Sequence, residues 1–216
     1  MRINPSTLPK ISLEEYYNIH KDYIVPLDLK IDVDQFNKEI EHFRSNFRQW
    51  GIEHLEYPRY GISLCNLTGS VTDEIDPTCY PLDRWAARYP KLKFWDHDFK
   101  KITPVFELPS LSPLHQFREH LIRSNILLWH NTGHFKPHFD THPEYITHLR
   151  LWGVSVDDSK YTLKYGNHIV KDFEPGRLYL IDTIKTHEAV ALDNNVFTFF
   201  IAIDLSAMSL IKQLII

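Results

Sequence analysis

The chain has 216 residues, 43% of them hydrophobic, which is ample for a core and sets the expectation of one domain spanning 1–216. A formal charge of -4 and a pI near 6.3 disfavour a surface built to hold nucleic-acid phosphates, and favour a small-molecule or peptide substrate. Cys65 and Cys79 are too few for a disulfide framework, no apolar signal segment opens Met1-Arg2-Ile3-Asn4-Pro5, and no apolar run approaches the roughly 20 residues of a spanning helix. The expectation is a cytoplasmic protein without a membrane partner, of unspecified oligomeric state.

Residues 1–125 divide into an arm, helices and an irregular region. The arm, 1–31, carries prolines at 5, 9 and 26 without a sustained period, and no chemistry is assigned to it. Phe36, Ile40, Phe43 and Phe47 then recur at helical spacing, with Asp32 or Asp34 to cap and Gly51 to stop, which predicts a helix over 34–50 packed on a sheet. Tyr60 to Asn66 alternates like a half-buried strand, with Cys65 as a packing residue and Thr68-Gly69-Ser70 as its end. Residues 71–110 are proline-rich and charged, an irregular region with a short helix over 83–88 and a length that suits a substrate wall. Ser112-Pro113 opens a further helix to about Arg123, with Leu114, Phe117, Leu121 and Ile122 on its buried face.

From residue 126 to 205 the pattern is short alternating segments, over 126–131, 135–140, 146–156, 160–165, 168–173, 177–182, 187–192 and 196–205. Gly166-Asn167, Pro175-Gly176 and Asp193-Asn194-Asn195 separate the later ones. That many short strands imply a mainly β fold, a double-stranded β-helix (jelly roll, cupin-like) with supporting N-terminal helices and a tail over 206–216. Alternation puts Ile146, His148, Arg150, Trp152 and Val154 on one face, and this mixture of His, Arg and Trp suits a cavity that holds an anion.

Within this core lies His138-x-Asp140, and His187 follows in Thr186-His187-Glu188. Two imidazoles and a carboxylate, the first pair two apart on extended chain, form the facial triad that suits non-haem Fe(II) with open coordination positions. With 13 His in 216 residues about one His-x-Asp arises by chance, so the flanking strands carry the reading. Zinc accepts the same ligands, so a zinc-type or non-catalytic metal-binding jelly roll is the rival.

The stretch Gly133-His134-Phe135-Lys136-Pro137-His138, then His148-Leu149-Arg150-Leu151, then Phe173-Glu174-Pro175-Gly176-Arg177-Leu178-Tyr179-Leu180-Ile181-Asp182 ending in His187-Glu188, resembles the aspartyl/asparaginyl β-hydroxylase family. The likeness covers about 126–205, with a weaker echo at Tyr60 to Leu64. It implies Fe(II) bound by His138 and His187, with 2-oxoglutarate as cosubstrate and O2 as oxidant. It also implies hydroxylation of an amino-acid side chain, free or in a polypeptide, with release of succinate and CO2.

The chain departs from that family's best-known members, which lack the carboxylate that Asp140 supplies here. Where they place the arginine for the far carboxylate of 2-oxoglutarate stands Thr198, a serine of theirs falls at Leu127, and their Arg and His for the other end fall at His148 and Arg150 with types exchanged. An unpaired carboxylate in a dry barrel is costly, so a cation must compensate. The forked guanidinium of Arg150 is the expected anchor, with His148 and Thr198 as helpers, Trp152 as a wall, and Lys185 and Arg177 as fallbacks. Asp182 or backbone is expected to support the ligating imidazoles, and no catalytic group is assigned beyond the metal ligands. Of His130, His134 and His142 nearby, His134 is the candidate for substrate contact.

Overall fold

The computed structural model describes residues 7–50, 59–72, 94–130 and 132–216. Among them the strands are β1 (Ile24–Lys30), β2 (Arg48–Trp50), β3 (Arg59–Asn66), β4 (Lys101–Ile102), β5 (Leu121–Trp129), β6 (Gly133–His138), β7 (His148–Val154), β8 (Tyr161–Tyr165), β9 (His168–Ile169), β10 (Arg177–Ile181), β11 (His187–Ala191) and β12 (Val196–Asp204). The helices are α1 (Leu13–Ile19), α2 (Val33–Ile40) and α3 (Met208–Leu214). The fold is mainly β. A large antiparallel sheet in the order β1-β10-β7-β12-β5-β3-β2, with β4 on β3, faces a four-stranded sheet in the order β6-β11-β8-β9. This is the double-sheet jelly roll that the alternation implies.

Both faces of the large sheet are buried, so its strands carry two kinds of apolar row. In β12, Phe197, Phe199, Ile201 and Ile203 face the helices with Leu149 and Leu151 of β7, while Val196 joins Trp152 and Val154 between the sheets. Asp32 caps α2 by accepting from the Gln35 amide at 2.9 Å, and the helix then seats Phe36 edge-on against Phe197 and Phe199. Burying a phenylalanine in this way contributes roughly 2–3 kcal/mol.

Several sequence expectations need correction. The helix expected over 34–50 stops at Ile40, passes into a 3-10 helix over Glu41–Asn46, and becomes β2. The reason is non-local, because Arg48 to Trp50 pair with β3 (Arg48↔Gly61) and the ladder overrides the helical period. The helix expected from Ser112 to about Arg123 is a 3-10 helix over 109–120 with Pro113 inside it, and Leu121 already pairs with Ile203 as a strand. The arm contains α1, capped by Ser12, and β1, whose proline is tolerated because β1 is the sheet's edge. The segment 168–173 keeps only two strand residues, and β6 runs over 133–138, which leaves Asp140 beyond its end. The short helix over 83–88 lies outside the described residues. Cys65 is buried, as expected for packing, and lies 3.1 Å from the Ile122 carbonyl. Among the described residues no helix is long and apolar enough to cross a membrane.

Gly176, before β10, has φ +77°, and a Cβ there would lie 2.2 Å from the Ile31 carbonyl oxygen. Gly166, φ +58°, has open space around it. Gly166→Ala is expected to cost about 1 kcal/mol from backbone strain alone, and Gly176→Ala at least about 2 kcal/mol more. Chemical denaturation checks the ranking, and equal losses would contradict it.

Candidate metal centre

His138 ends β6 and His187 begins β11, and the ladder between these strands sets them directly opposite one another. Their ring centroids lie 4.4 Å apart. The Nδ1 of His138 lies 2.8 Å from the carbonyl oxygen of Lys136, and that of His187 lies 3.0 Å from the carbonyl oxygen of Lys185. A carbonyl only accepts, so each Nδ1 carries the proton and each Nε2 presents its lone pair. The backbone thus gives these imidazoles the support that the sequence reading divided between backbone and Asp182.

Asp140 sits past the strand end, in a turn sewn to the segment before β11. Its amide and that of Thr141 both donate to the Thr183 carbonyl, at 3.0 and 3.1 Å, and the Thr141 and Thr183 hydroxyls are 2.9 Å apart. Its carboxylate reaches both histidines, 3.5 Å from His138 Nε2 and 3.7 Å from His187 Nε2. Adjacent ligands on one ion at about 2.1 Å are roughly 3 Å apart, so these separations are nearly right for a shared metal. One ligand atom from each residue falls within 4.8 Å of the others. The donor set fits a divalent ion of borderline softness, and one carboxylate with two imidazoles leaves coordination positions open.

Asp182, fully buried, shapes the turn that carries these contacts. Its Oδ1 accepts from the Ile184 and Lys185 amides and from the Tyr16 hydroxyl, while the Thr183 amide donates back to Tyr16. Lys185 Nζ lies 3.3 Å from Asp182 Oδ2, and the Tyr165 hydroxyl donates to the Asp182 carbonyl. Burial, then the Asp182 charge, pushes the Tyr16 phenol far above its ordinary range, which keeps it a donor. The arm assigned no chemistry therefore braces the metal turn through α1.

The inward row of β7 behaves as alternation requires. His148, Arg150 and Trp152 lie on the face opposite Leu149 and Leu151, whereas Ile146 precedes the strand and packs with the outer core. Arg150 Nη2 is 3.8 Å from Asp96 Oδ2, and Arg123 Nη1 is 3.4 Å from Asp96 Oδ1. Burial works to raise the Asp140 pKa, but Arg150, then His187 and His138, outweigh it and hold the carboxylate below its usual range. Burial, then Arg150, pushes His148 down to about 4. Trp152 is fully buried and its indole N–H has no partner among the described residues. The Thr198 hydroxyl accepts from the Trp129 indole at 3.1 Å.

The other named residues lie elsewhere. His134 faces outward, 2.8 Å from Glu188, with Lys164 on the same carboxylate at 3.6 Å. His130 and His142 are exposed. Lys185 is held by Asp182, and Arg177 by Glu174 and the Leu27 carbonyl. Sequence reading missed Asp96, in an irregular stretch without a period, and Arg59, which lies one residue before the strand it expected to begin at Tyr60. Extending that strand by one residue puts Arg59 on the inward face with Gly61 and Ser63.

Against known proteins, the sequence matches no family profile and no curated protein. Among solved structures it is similar to KdgF from Halomonas sp., with 16% identity, a TM-score of 0.29, and coverage of 41% of this chain and 75% of that one. It is also similar to an oxidoreductase of the 2OG-Fe(II) oxygenase family from Burkholderia pseudomallei, with 10% identity, a TM-score of 0.48, and coverage of 91% and 92%.

The buried histidine gives a pH test. In the unfolded chain His148 gains a proton below its ordinary 6.5, whereas in the fold it stays neutral until about 4, so acidification through that window favours unfolding. Between pH 7 and 5 the metal-free protein is expected to lose about 2 kcal/mol through this group. His148→Gln should flatten the curve of denaturation midpoint against pH, and an unaltered slope would contradict the assignment.

Proposed function

We propose that the chain is a non-haem iron dioxygenase that uses 2-oxoglutarate and O2 to hydroxylate an amino-acid side chain, free or in a polypeptide. The observation that carries this reading is the His138–Asp140–His187 cluster, whose proton-bearing Nδ1 atoms are tied to carbonyls and whose Nε2 atoms converge with a carboxylate. Iron bound there would couple 2-oxoglutarate, O2 and a C–H bond to succinate, CO2 and an alcohol.

The chain's own residues would do the rest. His138 and His187 hold the metal, and Asp140 offsets part of its charge. Arg150, His148 and Trp152 line the barrel face beside the site, and the Arg150 cation acts on Asp140. Buried aromatic walls, Trp129, Trp152 and Tyr161, keep bulk water from a bound cosubstrate. Thr198 contributes by fixing Trp129, whose indole N–H donates to its hydroxyl. The outward His134 would touch only a substrate long enough to reach across the strand.

Anaerobically loaded protein is expected to bind about one Fe(II). His138→Ala and His187→Ala should each weaken that binding at least about 100-fold, and Asp140→Ala about 10-fold. With iron and O2 the wild type should convert 2-oxoglutarate to succinate, faster in the presence of an amino-acid or peptide substrate. Wild-type iron affinity in either histidine variant, or tight zinc binding with no succinate under any condition, would contradict the proposal.

A further inference from the structure

Several side chains between the sheets hold polar atoms without a hydrogen-bond partner among the described residues, Arg150 Nε and His148 Nε2 included, and three of these side chains are at most 2% exposed. The atoms of these three are Nε and Nη1 of Arg59, the indole N–H of Trp152 and the hydroxyl of Tyr161, on residues 2%, 0% and 0% exposed. They share one place. The Trp152 and Tyr161 rings are 5.9 Å apart, and Trp129 stands 5.8 Å from Tyr161 and 5.3 Å from the Arg59 guanidinium. The guanidinium also lies 3.6 Å from the centre of the Phe135 ring, itself 3.8 Å from the His138 ring. A single aromatic ring therefore separates this cation from a metal ligand.

Among the described residues no carboxylate pairs with Arg59. Burial pulls its pKa down to about 10, with Tyr161 and Asp140 acting the other way, so it remains charged at neutral pH. Burial pushes the Tyr161 phenol far up, against the opposing pull of the Trp152 indole N–H that faces its oxygen and of the Arg59 charge, so it keeps its proton. A buried cation without a counter-ion is costly, and the neighbours it has here are further donors. Such a set lacks a group that is negative and only accepts, which describes a carboxylate.

We propose that Arg59, Trp152 and Tyr161 together bind the carboxylate of a 2-oxo diacid that lies farthest from the metal, with the 2-oxoacid end directed to the open positions beside His138, Asp140 and His187. This assignment rests on the oxygenase reading and moves the anchor away from Arg150, whose Nη2 faces Asp96 at 3.8 Å, to a cation with no carboxylate paired to it among the described residues. The guanidinium supplies charge and the Trp152 and Tyr161 donors fix orientation. Phe135 and Trp129 both lie within cation–π distance of the guanidinium and hold it at the site.

The test is anaerobic calorimetric titration of the Fe(II)-loaded full chain with 2-oxoglutarate and with 2-oxopentanoate, which has the same 2-oxoacid end and no second carboxylate. The wild type should prefer 2-oxoglutarate by roughly 100-fold. Arg59→Met should erase that preference while leaving iron and 2-oxopentanoate affinity unchanged, and Arg59→Lys should restore part of it. Tyr161→Phe and Trp152→Phe should each weaken 2-oxoglutarate alone, by about 3- to 10-fold. A folded Arg59→Met that keeps the preference overturns the assignment, as does loss of the preference in Arg150→Met with Arg59→Met unaffected. If Arg59→Met does not fold, an undiminished preference in Tyr161→Phe overturns it instead. A wild type that binds iron and neither acid overturns the oxygenase reading, whereas one that binds both equally overturns only the Arg59 assignment.

Discussion

The site depends on one cross-strand pair. His138 and His187 stand opposite each other because β6 and β11 share a ladder, and a one-residue slip would send one imidazole to the outer face. Each ring is then fixed by the carbonyl two residues before it, so backbone geometry alone decides which nitrogen is free. Asp140 lies two residues past His138, beyond the end of β6. The chain leaves the sheet there, and the Thr183 carbonyl gathers the Asp140 and Thr141 amides to bring the carboxylate over the histidines.

That arrangement needs the segment before β11 to hold its shape. A buried Asp182 accepts from two amides of that segment and pairs with Lys185, and Tyr16 ties it to α1. The shape of this turn is thereby tied to packing of the N-terminal helix on the outer face of the large sheet. The same sheet divides two kinds of work. Its outer face is aliphatic and aromatic and holds α2, while its inner face carries His148, Arg150 and Arg59 at positions where a stability-driven core would place leucines.

The candidate cluster was legible because its two histidines lie at strand ends and Asp140 just beyond one of them. His138-x-Asp140 and His187 are flanked by alternating segments whose turns are written in glycine, proline and asparagine, so strand existence and inward parity could be read locally. The row His148, Arg150 and Trp152 followed from parity alone. What could not be read was pairing, since nothing in the sequence says that Arg48 to Trp50 will join β3, and the helical period of Phe36, Ile40, Phe43 and Phe47 ran past its true end. Arg59 was lost to a boundary error of one residue. Asp96 was lost because a 3-10 stretch between Trp95 and Phe99 has no period, and its meaning comes from Arg123 of β5 and Arg150 of β7 meeting it in the fold. The arm hid its strand behind Pro26, which an edge position accommodates.

The measurement that bears most directly on the central claim is visible absorption of Fe(II)-loaded protein during anaerobic addition of 2-oxoglutarate. A 2-oxoacid bound to ferrous iron held by His138, Asp140 and His187 would give a metal-to-ligand charge-transfer band. The account predicts that this band grows and saturates in the wild type and is absent without iron. A colourless titration of protein that demonstrably holds its iron would contradict it.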